Sequence, residues 1–221
     1  MTFTGYAGST VPLFAAGIGL LGLILSPVVE LLIARLLPRF GGLPVTRVRI
    51  TTAAITGVLC SAFAYRFGAE PTLAAFVLLA VVGVQLARID ISLHLLPNPL
   101  VMSLLVGGFA CLLLANIGGS QWTELLRGVA GAGILFFFYL ILALISPSGM
   151  GMGDVKFAAP IGLYLGYLGW SHLLYGGLLG FVLNGFVTIL ALRRNRSEPA
   201  SEVPHGPSML LAAAGIAVFT P

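Results

Sequence analysis

The chain has 221 residues, of which 58% are hydrophobic and only 8% charged, with a formal net charge of +4 and a mean hydropathy of +1.07. Soluble domains carry about 25% charged residues, so the composition excludes one and points to an all-α, polytopic membrane helical bundle; nothing in it supports nucleic-acid binding. The two cysteines, Cys60 and Cys111, stand singly inside hydrophobic runs, which excludes a CxxC metal or redox site and reads as burial of small side chains.

Taking about 20 apolar residues per crossing, eight transmembrane helices are predicted in chain order. The first runs from Val11 to Leu37, and it is too long and lacks the basic flank for a cleavable signal peptide. A short cytoplasmic loop, 38–49, leads to a second span at Ile50–Phe67 and a third at Pro71–Ile89. The fourth opens at Leu96-Pro97-Asn98-Pro99 and reaches Ile117; the fifth covers Leu125–Ile145. A shorter sixth occupies Val155–Trp170, a seventh His172–Leu192, and an eighth starts near Pro207 after a polar linker at 195–206. No internal repeat is present, and residues 1–221 read as a single transmembrane domain. Gly128, Gly131 and Gly133, and Gly176, Gly177 and Gly180, are expected at close helix packing faces. The run Phe136-Phe137-Phe138-Tyr139 covers all faces of a helix, so both lipid and core contacts are expected.

Orientation follows from the basic residues. With both termini outside, the inner side holds Arg35, Arg39, Arg47, Arg49, Arg88, Lys156, Arg193, Arg194 and Arg196, and the outer side only Arg66 and Arg127. Trp122 and Trp170 then fall near the outer interface. Both aspartates of the protein, Asp90 and Asp154, come to the inner ends of their spans, on one side of the membrane.

An ionisable residue at a membrane boundary is costly to keep and therefore a functional candidate. Asp90 precedes Leu96-Pro97-Asn98, where proline opens the next helix; the plainer reading is a flanking charge paired with Arg88 or with headgroups. Asp154 lies in Gly149-Met150-Gly151-Met152-Gly153-Asp154-Val155-Lys156. Glycines 149, 151 and 153 permit unusual backbone conformations and let another chain approach. Lys156 would favour ionised Asp154, or serve as a plain interfacial anchor. Two carboxylates in a poorly hydrated site do not both ionise easily, so one proton is shared between them. That split supplies the base and the acid that hydrolysis by an activated water requires.

These motifs resemble those of the type IV prepilin peptidases, membrane aspartic proteases of the GxGD type. The resemblance extends to Ser26-Pro27-Val28-Val29-Glu30-Leu31-Leu32-Ile33-Ala34-Arg35-Leu36 at the end of the first span, and to Pro204-His205-Gly206-Pro207 before the last. It implies eight spans in a bacterial inner membrane, with Asp90 and Asp154 as the catalytic pair and Gly149, Gly151, Gly153, Lys156, Pro97 and Asn98 as loop support or substrate contacts. The implied reaction removes the short basic leader of a prepilin or pseudopilin after a glycine, at the cytoplasmic face, in a pilus, secretion or DNA-uptake system. Proteolysis needs no cofactor; S-adenosylmethionine enters only if the N-methyltransferase activity of larger members is retained. The chain departs from the family pattern in two places. Those larger members carry two zinc-binding CxxC pairs where this chain has the loop at 38–49, and Glu30 stands where the pattern has Asn. Glu30 reads either as an intramembrane acid paired with an arginine or as a group that tunes the site, and the pairing is the expected one because buried ionised groups generally find partners. His94 is expected in an exposed loop, His172 on the outer side, and His205 in a packing role. The rival reading is a transporter or proton relay, which predicts polar residues through the depth of the membrane; apart from Glu30 few are present. Signal-peptide-peptidase-type enzymes carry Tyr-Asp, whereas this chain has Ile89-Asp90.

Overall fold

The computed structural model describes residues 10–40, 42–117, 122–146, 150–194 and 204–220. The described residues form eight α-helices: α1 (Thr10–Leu36), α2 (Thr46–Phe67), α3 (Leu73–Leu93), α4 (Asn98–Asn116), α5 (Trp122–Ile145), α6 (Met152–Leu168), α7 (Trp170–Arg194) and α8 (Gly206–Phe219). A 3-10 turn at Pro38–Phe40 follows α1. The protein is thus an all-helical, polytopic membrane protein. Six of the helices, α1 to α5 and α7, are long and apolar enough to cross a membrane by themselves. The other two of the eight expected spans are shorter, with 17 residues in α6 and 14 in α8. The loop expected at 38–49 is shorter than its sequence suggests: α2 begins at Thr46, so Arg47 and Arg49 are helical. The linker at 195–206 lies outside the described residues up to position 203, as does Gly149.

The chain divides into two compact units, residues 1–85 and 86–221, with the boundary inside α3. In the first unit α1 packs along α2. Gly22 makes the approach close, because a Cβ there would stand 2.7 Å from Cys60 Sγ and 3.2 Å from the Thr56 carbonyl oxygen. Phe63, Phe67 and Phe76 form an aromatic cluster, with the Phe67 and Phe76 rings stacked at 4.3 Å. Gln85 Nε2 donates to the Ser26 carbonyl and Oγ, each at 3.2 Å.

Glu30 on α1 is 2% exposed and accepts from Arg49 Nε on α2 at 2.9 Å, the arginine pairing expected of a buried acid. Arg49→Leu would take that cation away from a buried carboxylate. Breaking a fully buried pair costs about 3–5 kcal/mol, and because the Arg49 side chain is 34% exposed the loss here should be nearer ~2 kcal/mol. Thermal unfolding in detergent should show the drop for Arg49→Leu, with a smaller one for Glu30→Gln.

The second unit is built around α6, which packs against α4, α5, α7 and α8. From Val155 to Tyr167 almost every α6 side chain is buried. A helix that is apolar all round and enclosed by others belongs to a core, which explains why α6 is shorter than a lipid-facing span. Gly128 and Gly131 on α5 meet the α6 backbone, and Gly176 on α7 meets Leu165. Gly133, expected on the same face, has nothing within 4 Å of its Cβ position: it is rotated off the contact by two residues, about 200° of helix turn. On the aromatic run, Tyr139 is 1% and Phe137 61% exposed, the core and lipid division expected.

Candidate active site

Helix α3 runs one turn beyond the predicted end of its span, so Asp90 is helical and its carbonyl accepts from the His94 N–H at 2.9 Å. The chain then turns sharply at His94, exposed and with a φ of 51°. Buried Pro97 caps α4, and Asn98 and Pro99 form its first turn, since proline lacks the N–H that would go unsatisfied there. Asp90 itself is 5% exposed. Its Oδ2 accepts from the Gly206 N–H at 3.0 Å. That N–H is one of the donors left without a helical partner at the start of α8, and a carboxylate is its natural acceptor.

Asp154 lies in the first turn of α6, half-buried, and its Oδ2 folds back to 3.5 Å from the Cβ position of Gly151. Helix α4 leads away from the end of α3 and α5 returns, so Asp90 and Asp154 lie at the same end of the unit. The two carboxylates are within electrostatic reach of each other. Leu96 joins their surroundings: a Cβ on Gly153 would stand 3.1 Å from Leu96 Cβ, and one on Gly206 would stand 3.5 Å from Leu96 Cδ2. The requirement at Gly153 is therefore close approach. Gly151, with φ −72° and ψ 144°, has a backbone open to any residue, which departs from the conformational role expected of it.

Lys156 Nζ donates to Asn98 Oδ1 at 3.0 Å, with both residues exposed, so it is directed at the start of α4 and not at Asp154. Beneath this pair lies a groove of about 410 Å³, lined by Val101, Met102, Leu105, Phe136 and Ala159. Gly206 and Leu96 were not singled out by the sequence. A signal for Gly206 existed in Pro204-His205-Gly206-Pro207, but nothing local connects it to an aspartate 116 residues earlier.

Residues 73–191, which contain both aspartates, match the type IV leader peptidase family. The chain belongs to that family. It is similar to the prepilin leader peptidase/N-methyltransferase of Aeromonas hydrophila, at 34% identity over 75% of this chain and 54% of the relative. The proteins of that name from Stutzerimonas stutzeri (28% identity, 71% of this chain, 53% of the relative) and Xanthomonas campestris pv. campestris (30%, 87% and 66%) are also similar. The chain thus spans about half to two thirds of the length of these leader peptidases. No solved structure matches it.

Proposed function

We propose that this leader peptidase family member is a membrane-embedded aspartic endopeptidase that removes the basic leader of type IV prepilins or pseudopilins, cutting after glycine at the cytoplasmic face. The observation that supports the reading is that Asp90 and Asp154 lie at one end of the second unit, within electrostatic reach of each other. One carboxylate takes a proton from water as the water oxygen attacks the scissile carbonyl carbon. The other, protonated, gives its proton to the departing amide nitrogen as the C–N bond breaks. Sharing one proton between two close carboxylates prepares both roles. Asp90 accepts from the Gly206 N–H, a bond that is stronger to a carboxylate than to a carboxylic acid, which supports it as the base. The apolar groove lined by α4, α5 and α6 supports the docking of a substrate's hydrophobic segment against this unit.

The chemistry requires no cofactor, and S-adenosylmethionine enters only if methylation accompanies cleavage. The test is co-expression with a prepilin carrying a basic leader, Gly before the cut and Phe after it, followed by mass spectrometry of the product. Loss of the leader supports the peptidase; an extra methyl group on the new amino terminus adds the second activity. An intact substrate across a panel of prepilins and pseudopilins would sink the reading.

Gly206→Ala provides a graded check. The added Cβ would stand 2.8 Å from Asp90 Oδ2, closer than carbon and oxygen tolerate, so the carboxylate must move off the N–H. Cleavage should fall about 10–100-fold, since misplacing a catalytic group by about 1 Å costs on the order of 100-fold.

A further inference from the structure

The bond that holds Asp90 comes from a backbone N–H at the start of a short helix, and what fixes that corner lies next to it in sequence. His205, 7% exposed, precedes Gly206. Its Nε2 shares a hydrogen bond of 3.0 Å with Tyr139 Oη on α5, a buried contact between residues 66 positions apart. Phe181 on α7 packs against both rings, at 5.0 Å from Tyr139 and 5.2 Å from His205. Burial pushes the His205 imidazole down to about 4, so the ring stays neutral and the contact is one between uncharged partners. Tyr139 is in turn within electrostatic reach of Asp154. One chain of contacts therefore runs from Asp90 through Gly206 and His205 to Tyr139, and Asp154 lies within electrostatic reach of its far end.

We propose that His205 and Tyr139 are a positioning pair, which clamps the start of α8 to α5 so that the Gly206 N–H stays on Asp90 and the two carboxylates keep one relative geometry. Neither residue touches the reacting atoms. Packing alone would account for a large ring at 205, but a ring nitrogen matched to a buried tyrosine hydroxyl does more: each of these polar groups would be costly to bury without the other. Burial of the pair favours this arrangement of α5 and α8, because drawing them apart would leave both polar groups buried without each other.

The inference rests on the peptidase reading for its kinetic consequence but not for its structural one, and the experiment separates them. Three variants of the full chain in detergent are compared with wild type. Tyr139→Phe removes the hydroxyl, His205→Phe keeps a ring against Phe181 without the nitrogens, and His205→Gln restores a polar group near the Nε2 position. Hydrogen exchange at the Gly206 amide, read by mass spectrometry on a peptide covering 204–210, should quicken about tenfold in Tyr139→Phe and His205→Phe. His205→Gln should stay near wild type. In prepilin cleavage the two phenylalanine variants should lose about tenfold in kcat with KM within twofold, the double variant should be no worse than either single one, and His205→Gln should recover most of the rate. Wild-type exchange in both phenylalanine variants would overturn the proposal, as would a loss confined to KM or one that adds up in the double variant. Should wild type cut no pilin, the peptidase reading falls and the exchange measurement alone decides the clamp.

Discussion

Replacing either aspartate by asparagine should cut leader removal by about 100-fold or more while leaving the protein folded. Asparagine has the size of aspartate but neither takes up nor releases a proton in the working range, so the step assigned to that carboxylate loses its acid or base. General acid–base roles contribute about 10²–10⁴-fold each, and the two variants should fall by amounts in that range. The fold should survive for a specific reason in each case. In Asp90→Asn the amide would still present a carbonyl oxygen to the Gly206 N–H, which Asp90 accepts now at 3.0 Å. At 154 the residue is half-buried in the first turn of α6, where asparagine removes a charge near Asp90 and creates no overlap. The double variant should be no worse than the poorer single one, because groups that act as a unit are not additive. Prepilin cleavage measured beside expression level and unfolding temperature checks all three statements. Cleavage near the wild-type rate in either single variant would remove the dyad and return the transporter or proton-relay reading to the front.

The second large effect is on stability and lies where α5 crosses α6. A Cβ on Gly162 would fall onto the Gly131 carbonyl oxygen and stand 2.8 Å from its carbonyl carbon. From the other side, a Cβ on Gly131 would stand 2.5 Å from the Gly162 carbonyl oxygen, and one on Gly166 would stand 2.7 Å from that of Arg127. These obstacles are backbone atoms, which cannot rotate aside as a side chain can, so Gly162→Ala must push the helices apart. Helix pairs in membranes associate largely through such close packing of small residues. Arg127 adds to the same seam by donating to the carbonyls of Gly166 and Tyr167, at 2.7 and 2.6 Å, near the last turn of α6. Overpacking usually costs about 1–3 kcal/mol, and with backbone on both sides the loss here should reach about 3 kcal/mol. Gly133→Ala on the same α5 helix, with open space at its Cβ position, should be neutral or stabilising by up to ~1 kcal/mol from helix propensity. Unfolding temperatures in detergent compare the two; equal values would show that the crossing tolerates a methyl group. Because Asp154 sits in the first turn of α6, the Gly162→Ala variant should also lose cleavage beyond what its folded fraction explains.

Much of this protein is written in local pattern. Long apolar runs broken by proline, glycine and arginine mark helix after helix, since an apolar span of the right length has no other stable state in a bilayer. The order of those spans brings Asp90 and Asp154 to one end, because α4 and α5 make an even number of passes between them. Pro97 opens α4 because proline suits a first turn. Glu30 announces a partner because a buried charge needs one, and Arg49 supplies it.

The tertiary structure decides what depends on contacts between distant segments. The shortness of α6 leaves open in the sequence whether it is packed inside the bundle or crosses a thin membrane, and only its neighbours show that it is enclosed. Gly131 and Gly133 look alike in the chain, yet one meets backbone and the other open space, because two residues turn a helix by about 200°. Gly206 sits in a motif whose acceptor lies on α3, and His205 finds its hydrogen-bond partner on α5. Neither pairing leaves a trace in spacing or composition: a hydrogen bond is a relation between two positions in space, and a single sequence states only the positions.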